Sequence, residues 1–85
     1  MIAVKLAYYK NTDWDRFIKI IDDRENMHDN WNDWHNAFLK TKNDLISKGF
    51  EVNVIEIDLN ELAFYCRFRE IRNDGKARSQ FVQSK

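Results

Sequence analysis

His28, His35 and Lys42 recur every seven residues. A heptad step drifts only about 20° around a straight helix, so the three line one flank. Imidazoles ligate metals and move protons, and an ammonium attracts anions. Seven residues span about 10 Å of helix at a 1.5 Å rise, whereas a zinc–nitrogen bond is about 2 Å. Two histidines so placed do not share one ion. Cys66 is the only cysteine, so no Cys/His cluster can form and no metal or cofactor is expected. What remains is a small anionic-ligand pocket at His35 and Lys42. The competing account is packing: His35 lays its ring at a core edge, and Lys42 runs its stem along a tryptophan with the ammonium in water.

Catalytic patterns are missing from the chain. It has no Gly-rich phosphate loop, no nucleophile elbow and no H-E-x-x-H. The Cys66 thiol falls on the apolar side of its helix, where a cysteine behaves as a small hydrophobe. The expectation is a non-catalytic protein.

Two other groups of residues have binding chemistry. Phe64, Phe68 and Ile71 share one side of a helix whose opposite side carries Leu59, Leu62, Ala63 and Cys66. A helix apolar on two sides is buried twice. Either the last helix covers the outer stripe through Phe81 and Val82, or a protein partner does, a second copy included. Arg69, Arg72, Lys76 and Arg78 form the second group, across a helix, a Gly-containing turn and another helix. That is the order of a helix-turn-helix, which makes nucleic-acid binding an alternative reading. The charges are scattered, however, and so few phosphate contacts would bind weakly.

The elements that must position these groups can be read from period and punctuation. Residues 2–9 alternate Ile2, Val4, Leu6 and Tyr8 against Ala3, Lys5, Ala7 and Tyr9, the period of a strand. Thr12, with Asp15 three residues on, reads as the N-cap of a helix bearing Trp14, Phe17, Ile18 and Ile21. A longer helix covers residues 30–48 and stops at Gly49. Trp31, Trp34, Ala37, Phe38, Leu39, Leu45 and Ile46 form its apolar arc, and the two tryptophans are expected to anchor the core. Residues 50–57 read as a second strand, apolar on both faces, which implies either cover on both sides or a bulge. Asp58 caps a third helix running to residues 69–72, with Ile57 and Leu62 as a hydrophobic staple. After the turn at residues 73–75, a short helix covers residues 76–83.

The fold expected is therefore α+β and predominantly helical, β-α-α-β-α-α, with a small two-stranded sheet packed on about four helices in one domain. A connection through two helices allows its strands to pair in parallel, with a right-handed crossover, but leaves the pairing direction open, and an open sheet edge invites a covering chain. The 85 residues balance 14 basic against 14 acidic groups, but unevenly. Residues 1–64 carry net −4 and residues 65–85 net +4. A lone cysteine, no leader-like start and no apolar run of about 18 residues point to the cytoplasm and away from a membrane.

In order along the chain stand W-x-x-W-x-x-x-F (residues 31–38), K-G-F-x-V (48–52), I-D-L-x-E-L-x-x-Y-C (57–66) and D-G-K-A-R-x-x-F-V (74–82). The combination resembles short uncharacterised bacterial proteins and implies a bacterial cytoplasmic protein. It carries over no functional residues.

Overall fold

Alternation along the first residues produces a strand that runs into two consecutive tyrosines, Tyr8 and Tyr9. In the computed structural model, which describes residues 2–85, this strand is β1 (Ala3–Tyr8). It pairs in parallel with β2 (Glu51–Glu56), placing Val4 beside Val52 and Leu6 beside Val54. Between them lie α1 (Trp14–Ile20) and α2 (Trp31–Ser47); after them come α3 (Leu59–Phe68) and α4 (Gly75–Gln83). The β-α-α-β-α-α order and the two-stranded sheet match the sequence expectation.

Caps explain most helix boundaries. The Asn30 side chain accepts the Asp33 N–H at 2.8 Å and starts α2. Asp58 accepts from the backbone of Asn60 and Glu61 and starts α3. Asp74 accepts from Ala77 and starts α4. Gly49, at φ +91°, ends α2, with its N–H on Ile46 and the Phe50 N–H on Leu45. These two reverse bonds are a Schellman closure, which favours glycine at that position.

The start of α1 differs from expectation. Thr12 is not its N-cap. Residues Asn11–Asp13 form a 3-10 turn, and the N–H groups of Asp13 and Trp14 donate to the carbonyls of Lys10 and Asn11. The backbone thus satisfies the donors a hydroxyl would have served.

Tyr8, the last strand residue, and Tyr9, just beyond it, both pack on Trp34, with ring centroids 5.8 and 5.3 Å away. Tyr8 also packs edge-on against Phe38, with centroids 5.5 Å apart. Tyr9 stacks on Phe17 at 4.1 Å. The centre of the core is Phe17 and Leu62, both with no exposed surface, and Trp14, Ile57, Leu59, Cys66, Phe81 and Val82 close around them. The tryptophans of α2 are therefore not equal anchors. Trp34 is buried, but Trp31 is only half-buried, and its indole N–H donates to the Tyr9 carbonyl at 2.7 Å. Two residues of the apolar arc of α2, Leu39 and Ile46, are left exposed. Val54 is exposed too, so the second strand is less covered than its sequence implies.

Candidate functional site

The site with an unfilled surface is on α3. Its inner stripe, Leu59, Leu62 and Cys66, is buried, and the staple residue Ile57 is buried beside Leu62. Four-residue spacing then puts Phe64 and Phe68 together on the outer side. Their rings stack with centroids 5.8 Å apart, yet 65% and 75% of the two residues is exposed. Beside them opens a depression of about 540 Å³, walled by Phe64, Phe68, Tyr65 and Phe81. Tyr65 meets Phe81 edge-on at 5.2 Å. Charge rims this hollow: Arg69 lies over the Tyr65 ring at 4.4 Å, Lys85 over Phe81 at 4.7 Å, and Lys85 pairs with Glu61.

The last helix does not cover the stripe. Phe81 and Val82, the side chains that could have done so, are buried in the core. Ile71 has also left the stripe. The helix ends at Phe68, and Glu70 takes φ +56°. The Ile71 N–H then bonds back to Cys66 at 3.0 Å, and that of Glu70 to Arg67 at 3.1 Å. This second Schellman closure turns the chain, so Ile71 borders a separate hollow with Arg72 and Lys76. The face predicted from Phe64, Phe68 and Ile71 is therefore a face of two phenylalanines.

The basic group is not one patch. Arg78 is only 7% exposed. Its guanidinium forks onto the Asp23 carboxylate with two bonds of 2.8 Å and donates to the Asn73 carbonyl at 2.9 Å. Arg72 donates to the Asp22 carbonyl, and Asp22 in turn accepts the Asn73 N–H at 2.7 Å. Lys76 is exposed and Arg69 lies over a ring. Arg78 is thus removed from any phosphate-contacting role, because a buried guanidinium already matched to a carboxylate has no donor fork to offer. No local pattern signals this clasp, since Asp23 and Arg78 lie 55 residues apart. The Arg78 guanidinium holds the Asp23 carboxyl below the usual carboxylate range. Burial raises both the Tyr9 phenol, to about 12, and the Cys66 thiol, which disfavours a thiolate nucleophile.

His35 stacks on Trp31, with centroids 4.3 Å apart and planes 13° apart, and meets Tyr8 edge-on. Lys42 is half-buried further along α2. The depression nearest this end of the sheet is walled by Leu6, His28, Trp34 and Phe38, not by His35 or Lys42. The structure brings His35 into an aromatic stack and does not join it to Lys42. Among the described residues, no three His, Cys, Asp or Glu side chains gather as a metal site, and no helix is long and apolar enough to cross a membrane. Comparison with protein-family models, curated proteins and solved structures finds no match in any of the three.

Proposed function

We propose that this chain is a non-catalytic protein-interaction domain that docks its partner on the outer face of α3. One observation carries the reading: two stacked phenylalanines stand mostly exposed beside an aromatic-walled hollow. Phenylalanine rings left in water forgo roughly 25 cal/mol for each Å² that a partner could cover. Nothing within the fold needs them there, since α3 already buries its inner stripe. Aromatic anchors rimmed by charge are the pattern of an interface centre with a polar edge. The nucleic-acid alternative loses support with Arg78 in its buried clasp, and the anionic-ligand alternative with His35 stacked away from a shared pocket.

The test is site-specific photo-crosslinking in the producing cell. The photoreactive amino acid p-benzoylphenylalanine replaces Phe64 in one variant and exposed Lys40, on α2, in another. A discrete protein adduct at position 64 and none at position 40 is the expected result. Equal labelling at both positions, or none at 64, defeats the reading.

A further inference from the structure

Resting on that reading, we propose that the partner is a second copy of this chain, its α3 packed antiparallel against the first across a two-fold axis. Three observations favour this occupant. The face offers both halves of a self-complementary contact, a protruding ring pair and an aromatic-walled hollow next to it. An isologous interface uses one patch twice, so it needs both on the same surface. The chain carries 14 basic and 14 acidic groups, so two copies meet without net repulsion.

Charge supplies the third observation, and it sets the direction. Glu61, Tyr65 and Arg69 follow one flank of the face at four-residue steps, acidic at the start of α3 and basic at its end. A dyad perpendicular to two antiparallel helices sets like flank against like flank, reversed. With its axis at the level of Cys66, Phe64 meets Phe68 of the partner subunit. Glu61 then lies within side-chain reach of Arg69 of the partner subunit, and Arg69 within reach of the partner subunit's Glu61. A parallel pairing would set this flank against the opposite flank of the partner's helix, so Glu61 and Arg69 would not be matched across the dyad. Each site already holds Glu61 and Arg69 near the interface, through Lys85 and the Tyr65 ring, so little side-chain freedom is lost on pairing.

The size of the face sets the strength. An aromatic side chain presents about 150–250 Å², so the two phenylalanines offer roughly 200–350 Å² at their observed exposure. A standard interface takes about 800 Å² from each partner. The dimer is therefore weak and concentration-dependent.

Sedimentation equilibrium tests the proposal on the full chain from about 10 µM to 1 mM, the range of weak association. The samples are wild type, Phe68→Glu, Glu61→Arg, Arg69→Glu, the double variant Glu61→Arg/Arg69→Glu, and an equal mixture of the two single charge variants. All three sites are exposed, and circular dichroism verifies the fold. Wild type is expected to pass from monomer to dimer and Phe68→Glu to remain monomeric. Each single reversal sets two like-charged pairs across the dyad and raises the dissociation constant roughly tenfold. The double variant and the mixture restore opposite pairs and recover the wild-type value. A wild-type chain that stays monomeric throughout overturns self-pairing, and a crosslink at position 64 to another protein would still uphold the interaction reading. A dimer indifferent to Phe68→Glu, or one that the double variant does not recover, overturns the antiparallel α3 contact.

Discussion

At the scale of single residues, the chain places unusual chemistry inside and ordinary chemistry outside. Tyr9 is buried against Phe17, and burial pushes its phenol from 10 up to about 12. Its neutral form is thus held by the fold. Below pH 10 both folded and unfolded chains keep the proton, and the full stability is present. Between pH 10 and 12 the unfolded chain releases it first, so stability falls as pH rises. Over the whole window the loss is about 2–3 kcal/mol. Urea unfolding of wild type and Tyr9→Phe between pH 9 and 12 checks this: the phenylalanine variant should lose less stability over that range. Asp23 works at the opposite end. Its carboxyl is lowered by Arg78, so the clasp contributes above the ordinary carboxylate range and is lost as acid titrates it. The clasp joins the segment after α1 to the start of α4, which no apolar contact of the Phe64–Phe68 face does.

At the scale of elements, capping chemistry explains where helices begin and end, and one position departs from the best choice. Gly49 and Glu70 both sit left-handed at helix ends, at φ +91° and +56°. Only the first is a glycine. A side chain in that conformation costs about 1 kcal/mol relative to glycine, through the contact of Cβ with the following carbonyl. Glu70→Gly should therefore stabilise the protein by about 0.5–1 kcal/mol, raising the urea midpoint with an unchanged slope. No loss of a charge pair offsets this, because Glu70 is exposed and forms no ion pair among the described residues. An unchanged or lower midpoint would mean that the left-handed backbone at Glu70 carries no strain that glycine relieves. The same turn decides the candidate interface, because it ends the phenylalanine stripe and diverts Ile71.

At the scale of the whole molecule, a narrow parallel sheet carries helices that it cannot fully cover. The core closes where α1, α3 and α4 converge on Phe17 and Leu62, and α2 enters it through Trp34. The two tryptophans of α2 are thus unequal. Trp34→Ala should cost about 3–5 kcal/mol, as loss of a buried large ring does. For so small a domain, that leaves most molecules unfolded. Trp31→Ala should cost about 1–2 kcal/mol, the value of a hydrogen bond plus partial burial. Denaturant titration followed by far-ultraviolet circular dichroism separates the two. Equal costs would place Trp31 in the core on the same footing as Trp34.

What the amino-acid order determined by itself is local. Strand alternation in residues 2–9, the cap at Asp58, the stop at Gly49 and the two-sided character of α3 all depend on residues within about four positions of one another. Their energies are settled before distant segments meet. Whether Thr12 caps α1 escaped that logic, because neighbouring carbonyls competed for the same donors. The tertiary structure alone decided burial: that Arg78 would be sealed against Asp23, that Phe81 and Val82 would turn inward, and that Phe64 and Phe68 would be left facing water. Periodicity names the faces of a helix, but which face is covered depends on where elements dozens of residues away come to lie. That is a property of the packed whole, and it is why the candidate interface could be named from the sequence but not shown to be open.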